Sequence, residues 1–102
     1  MENKKTLTEE ELKTELKDLN NWKKEFKCIT ARYYIEDWQK ITQFLKHVAK
    51  CIEETNHHPD IIFHTATKTV TISTTTHSEN GITKADIDLA KKIEQFFQEN
   101  SE

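Results

Sequence analysis

The spacing of apolar residues changes at Asp37, and this change constrains the fold more than any other feature of the sequence. Within residues 22–35, apolar side chains alternate with others, as Ile29, Ala31 and Tyr33 do. A period of two predicts a strand with one buried face. Beyond Asp37 the apolar residues follow a helical period instead: Ile41, Phe44, Leu45, Val48 and Ile52.

Capping residues predict where the helices begin and end. Thr8 and Glu11 form a capping-box pattern at the start of a first helix, and Thr83 and Asp86 repeat it before the last helix. Proline disfavours helical geometry in the residue before it, so Pro59 predicts that the middle helix ends near Asn56.

The segment 60–77 is dominated by β-branched residues and is too long for one ordinary strand. We therefore predict a hairpin with strands at 61–65 and 69–76, after an earlier strand pair within 22–35. The expected order is α-β-β-α-β-β-α. It indicates an α+β fold in which three helices pack on one face of a four-stranded antiparallel sheet. We expect one domain over residues 1–102, with residues 1–6 flexible.

Composition excludes some classes of function. The chain carries 15 basic and 18 acidic residues, a net charge of −3, which argues against an electrostatic nucleic-acid binder. No apolar run approaches the roughly 20 residues of a membrane span. No secretory signal is recognisable at the amino terminus. Cys28 and Cys51 lack metal or redox spacing, and we expect reduced thiols in an intracellular protein.

Three histidines need an explanation beyond secondary structure. His57 and His58 precede Pro59, and His77 ends the second long strand. If 60–77 is a hairpin, its two ends meet, and the three imidazoles collect at one rim with Glu53 a helical turn away. Spacing alone leaves three interpretations open: an exposed loop cluster, an acid–base site and a metal site. The remaining histidines, His47 and His64, are expected at the surface or a sheet edge.

The combination of motifs resembles the pterin-4a-carbinolamine dehydratases. That family has an acid, three residues, His-His-Pro, a later Thr-His and an Asp at the start of the last helix. This sequence departs from the common pattern at Ile61, where animal members frequently have an aromatic residue, and in a slightly longer hairpin before Val70. The matching residues here are Glu53, His57, His58, Pro59, Thr76, His77 and Asp86.

The resemblance implies a dehydratase that removes water from a 4a-hydroxytetrahydropterin and gives a quinonoid dihydropterin for tetrahydrobiopterin recycling. It implies no metal and no cofactor, because the pterin is the substrate. His57 and His77 would be the principal acid–base groups, with His58 in binding or proton transfer. The residues expected to bind or orient substrate are Glu53, Pro59, Thr76 and Asp86, although helix capping by itself explains Asp86.

Family resemblance also implies a homodimer or homotetramer, without direct contact to nucleic acid or membrane. An alternative function belongs to another class. Members of the family serve as dimerisation partners of a transcription factor, and some relatives are proposed as assembly scaffolds. A cytoplasmic location is expected, and a chain of this size can also enter the nucleus.

Overall fold

The computed structural model of the protein describes residues 5–100, with side chains through residue 98. Its order of elements is the predicted α-β-β-α-β-β-α, with one additional short 3-10 helix at His77–Glu79. Within the described residues, no helix is both long enough and apolar enough to cross a membrane. The elements are α1 (Glu9–Leu16), β1 (Trp22–Glu25), β2 (Cys28–Tyr34), α2 (Trp38–Thr55), β3 (Asp60–His64), β4 (Thr69–Thr74) and α3 (Lys84–Asn100).

The four strands form one antiparallel sheet in the order β1-β2-β4-β3. Register is fixed by the buried face: Ala31 and Ile72 lie opposite each other and both are buried, and a shift of one residue would expose them. The other face carries polar side chains together with exposed Tyr34 and Ile62. On it, Thr30 and Ser73 share a hydroxyl hydrogen bond of 2.8 Å, and Arg32 pairs with Glu25 at 2.8 Å.

The helices cover the apolar face of the sheet, as predicted. Phe44 of α2 is fully buried and contacts Tyr33 of β2 and Phe96 of α3 through edge-on aromatic packing. Such pairs add to the free energy gained from burial itself. Leu12 of α1 and Ile87 of α3 belong to the same core, so all three helices and the sheet share one apolar centre.

The predicted starts of α1 and α3 and the predicted end of α2 are confirmed. The Thr8 and Glu11 capping box is complete, and Asp37 caps α2 by accepting from the Lys40 backbone N–H. Asn56 ends α2 in the left-handed conformation, with φ 55°. Of the segment expected to be flexible, residues 1–4 lie outside the described residues, whereas Thr6 forms an antiparallel bridge with Thr83.

His47 is half-buried between α2 and α3, so the expectation of a surface or edge position was only partly right. Its Nε2 is 2.8 Å from the Lys92 carbonyl oxygen of α3 and 3.4 Å from the Cys51 sulfur. A carbonyl oxygen only accepts hydrogen bonds, so Nε2 carries the proton and donates it. The imidazole thereby links α2 to α3. His64 is exposed on the edge strand β3, as expected.

Glu15 connects α1 to α3 through two lysines. Its carboxylate lies 3.1 Å from Lys84 Nζ and 3.4 Å from Lys91 Nζ. The hydrogen bond from Lys84 is the main cause that lowers the pKa of Glu15 below 4.5, and the charges of both lysines add to it. Because its pKa is lower in the folded chain than in the unfolded chain, ionised Glu15 stabilises the fold at pH values above the unfolded pKa. This contribution is lost as the pH falls through the folded pKa.

We expect Glu15→Gln to lower the free energy of unfolding at neutral pH by less than about 1 kcal/mol, since the pair is partly exposed. The difference from wild type should disappear in acid, where Glu15 is protonated in both folded and unfolded chains. Urea unfolding at neutral pH and at acidic pH measures the difference in free energy of unfolding between Glu15→Gln and wild type. In a Lys84→Met background, Glu15→Gln should lower the free energy of unfolding by less than it does in wild type. An equal loss in both backgrounds that does not change with pH would contradict the pairing of Glu15 with Lys84.

The connection between β1 and β2 contains a bulky residue in a conformation that favours glycine. Glu25 and Cys28 pair, which leaves Phe26 and Lys27 as a two-residue turn. Phe26 has φ 58° and is 96% exposed. Side chains with a Cβ are disfavoured in the left-handed region by roughly 1–2 kcal/mol, and so exposed a ring recovers little of that by packing.

We expect Phe26→Gly to be more stable than Phe26→Ala by about 1 kcal/mol, because both remove the exposed ring and only glycine relieves the strain. Urea denaturation of the two variants makes the comparison. Equal stabilities would show that the turn is not strained at this position.

Candidate functional site

The candidate site lies at one end of the β3–β4 hairpin. Asp60 and Ser73 form the last cross-strand pair there. His57 and His58 lead into β3, and the chain leaving β4 reaches His77 within three residues of its last strand residue. All three histidines are therefore attached to the same end of the sheet.

The end of α2 positions His57. Left-handed Asn56 turns the chain out of the helix, and its N–H bonds to the Ile52 carbonyl at 2.8 Å. The Thr55 hydroxyl donates to the Cys51 carbonyl at 2.8 Å and accepts from the His57 N–H at 3.2 Å. The backbone of His57 is thus held by the helix that precedes it.

Asp86 occupies the third position of α3 and is completely buried. Its Oδ2 accepts from the Thr83 N–H at 2.9 Å, while the Thr83 hydroxyl accepts from the Ala85 N–H at 3.2 Å. These bonds satisfy backbone donors that a helix start otherwise leaves unpaired. Asp86 therefore has the capping contact that the sequence predicted.

The same carboxylate reaches three side chains from other parts of the fold. Asp86 Oδ1 lies 2.6 Å from His57 Nε2 and 2.7 Å from the Thr74 hydroxyl, which donates to it. Oδ2 accepts from the Thr76 hydroxyl at 2.9 Å. With the Thr83 N–H, each oxygen has two donors, so a buried charge that would otherwise be costly is fully hydrogen-bonded.

The Asp86 contact determines which nitrogen of His57 is available for chemistry. A carboxylate only accepts hydrogen bonds, so Nε2 carries the proton and points inward. In the neutral ring Nδ1 is then unprotonated, and within the described residues no group hydrogen bonds to it. The His57 side chain is 12% exposed. The arrangement offers a proton acceptor at Nδ1, with a buried negative charge behind the ring to stabilise the imidazolium that would form.

The other predicted site residues are placed differently. His58, His77 and Glu53 are exposed, and within residues 5–98 their side chains make no hydrogen bond or ion pair. Pro59 is half-buried. The structure therefore brings together His57, Thr76 and Asp86 and leaves three polar groups open to solvent at the same end of the sheet. In the described part of the chain, no group of three or more His, Cys, Asp or Glu side chains is arranged to hold a metal ion.

Sequence reasoning missed Thr74 as a site residue and gave Thr83 only a capping role. Thr74 looked like one threonine among many in a strand. The sequence offered one indication: Thr74 is two residues from Thr76, and residues two apart along a strand face the same side of the sheet. Only the known placement of α3 could show that this side faces Asp86.

Cys28 lies close enough to the site for the carboxylates there to change the pKa of its thiol. Burial raises the pKa of this thiol, and the carboxylates of Asp60 and Asp86 raise it further. Burial also raises the pKa of Cys51. Both cysteines are free, and because the thiolate is the reactive form, the raised pKa of each thiol argues against a role as a nucleophile.

Comparisons with known proteins agree on one family. The family model described as pterin 4 alpha carbinolamine dehydratase matches residues 5–96. A protein of Sulfurisphaera tokodaii is 34% identical over 89% of this chain and 96% of its own length. Another, from Koribacter versatilis, is 35% identical over 89% of this chain and 95% of its own. Both are named, provisionally, as pterin-4-alpha-carbinolamine dehydratases.

Similarity extends to a solved structure. A crystal structure of a Brucella melitensis protein, described as a transcriptional coactivator/pterin dehydratase, superposes with a TM-score of 0.81 at 31% identity. The match covers 89% of this chain and 97% of that one. Sequence and fold lead to the same conclusion: the chain belongs to the pterin 4 alpha carbinolamine dehydratase family.

Proposed function

We propose that this protein dehydrates a 4a-hydroxytetrahydropterin to a quinonoid dihydropterin, as a step in tetrahydrobiopterin recycling. The observation that supports the proposal best is the buried Asp86 carboxylate bonded to His57 Nε2 at 2.6 Å. This contact leaves Nδ1 as the basic atom of a partly exposed ring, which is what a proton-abstracting histidine requires.

The reaction needs one proton removed and one supplied. A base takes the proton from a ring nitrogen of the pterin, and the electron pair left behind forms the new carbon–nitrogen double bond. The bond between C4a and its hydroxyl oxygen breaks, and an acid protonates the leaving oxygen to give water. The reaction is an elimination without change of overall oxidation state, so the proposal includes no cofactor and no metal.

We assign the base to His57 and the acid to His77, with His58 in binding or proton transfer. Asp86 stabilises the His57 imidazolium, and Thr76 holds the carboxylate. Glu53 and Pro59 complete the proposed substrate-binding set. The exposed positions of His58 and His77 at the same end of the sheet support this division, because an acid that meets substrate must be reachable from solvent.

A second candidate function is binding to a partner protein. The observation that favours it is the description of the Brucella melitensis relative as a transcriptional coactivator as well as a pterin dehydratase. In this case the chain, as a homodimer or homotetramer in the cytoplasm or nucleus, would associate with a transcription factor or assemble another enzyme. Such a role does not require the acid–base histidines.

We expect His57→Ala and His77→Ala each to lower kcat/KM by about 10²–10⁴-fold, the usual contribution of one proton-transfer group. The measurement is the formation of quinonoid dihydropterin by absorbance, corrected for spontaneous dehydration in buffer. His64→Ala is the matched control, because His64 is exposed at the opposite end of β3. Wild-type activity no higher than buffer would overturn the dehydratase proposal in favour of partner binding.

We expect Asp86→Asn to lower both activity and stability. In either orientation, the amide NH₂ would face donors that now bond to a carboxylate oxygen: His57 and Thr74 on one side, or Thr76 and the Thr83 N–H on the other. Loss of a buried charged acceptor lowers the free energy of unfolding by about 2–3 kcal/mol. Urea unfolding and the dehydration assay are measured together. Asp88→Asn, at an exposed position two residues further along α3, should change stability by less than about 0.5 kcal/mol. Full activity with reduced stability would limit Asp86 to helix capping.

A further inference from the structure

Thr74 contacts the oxygen on which the proposed mechanism depends, and that mechanism does not use it. Its hydroxyl lies 2.7 Å from Asp86 Oδ1, the same oxygen that is 2.6 Å from His57 Nε2. The residue is 1% exposed and ends β4. A buried hydroxyl directed at a single carboxylate oxygen is a specific polar contact, since an apolar side chain would fill the same place in a strand.

The direction of every hydrogen bond around Asp86 is determined. The Thr74 hydroxyl has one proton, and its neighbour Oδ1 can only accept it. The Thr76 hydroxyl gives its proton to Oδ2 and so accepts from the Thr83 hydroxyl, 2.7 Å away. Each carboxylate oxygen therefore has two donors, and among the described residues Thr74 is the only donor to Oδ1 besides His57.

We propose that Thr74 is a positioning residue that acts through Asp86: its hydrogen bond orients the carboxylate towards His57 and sets the strength of the bond that Oδ1 accepts from Nε2. The inference rests on the proposed function for its meaning in catalysis. The effect of Thr74 on the carboxylate involves only the contacts around Asp86 and His57. The bond from Thr74 fixes the rotation of the carboxylate, so that Oδ1 faces the imidazole, and it neutralises part of the charge that the ring experiences.

Removing this hydroxyl has two consequences. The carboxylate loses one of the bonds that orient it, so the imidazole that it holds is placed less precisely for proton transfer. Oδ1 also becomes more negative towards the ring, which favours the imidazolium. For a histidine that acts as a base, the acidic limb of the pH–rate profile then moves to higher pH.

The substitution that tests this is Thr74→Val, which keeps the shape and the strand preference of threonine. Backbone pairing with Ile29 is unaffected. We expect kcat/KM to fall about 10-fold, the order found when a partner that orients a histidine is removed. Thr74→Ser should restore the wild-type rate and profile. Thr71→Val, on the opposite face of the same strand, is the matched control and should match wild type.

The pH profile separates positioning from a purely structural role, which would change the amount of folded protein without moving the acidic limb. Each comparison is made between variants that retain the same surrounding ionisable groups, so their influence is common to both. Ionisable residues on the elements around His57 include its neighbour His58, Cys28 on β2, Glu53 and Glu54 at the end of α2, Asp60 on β3, His77 after β4, and Lys84, Asp86 and Asp88 at the start of α3.

A spectroscopic measurement keeps the inference testable if the chain has no dehydratase activity. Long-range ¹⁵N–¹H correlation spectra report the protonation of each histidine ring nitrogen and the strength of its hydrogen bond. We expect the His57 Nε2–H signal in Thr74→Val to move towards that of a stronger hydrogen bond, and the signal in Thr74→Ser and Thr71→Val to match wild type. An unchanged His57 Nε2–H signal and an unchanged pH profile in Thr74→Val would overturn the inference, whereas inactive wild type with the expected spectra would overturn only the proposed function.

Discussion

The buried carboxylate of Asp86 connects the parts of the chain that make this site. It accepts hydrogen bonds from the start of its own helix, from the end of β4 and from the segment that follows α2. These bonds come from three separate parts of the chain. A buried charge is stable only with its donors in place, so the position of this acid requires that the sheet, α2 and α3 all meet correctly.

Most of the fold could be predicted because local signals agreed with one another. Periodicity separated strands from helices, and Pro59 and the threonine caps at Thr8 and Thr83 marked helix ends. Side chains between helices were harder. His47 was expected at the surface or a sheet edge, but its ring bonds to the Lys92 carbonyl across the interface. A contact of this kind depends on how two helices cross, and periodicity does not contain that information.

The candidate site was predictable in its residues but not in its contacts. The motif resemblance selected His57, Thr76 and Asp86, which the structure joins in one network. Sequence did not identify Thr74, and it could not choose between the two nitrogens of His57. Both depend on which oxygen of the carboxylate faces which neighbour, a matter of a few ångströms set by the packing of α3 on the sheet.

The double use of Asp86 affects how relatives of this protein should be interpreted. Because the acid also satisfies the start of α3, selection for a folded domain alone is enough to retain it. A relative of the same fold without dehydratase activity would therefore still keep the aspartate for its stability and lifetime in the cell. Surveys that count enzymes by the buried acid alone would include such relatives.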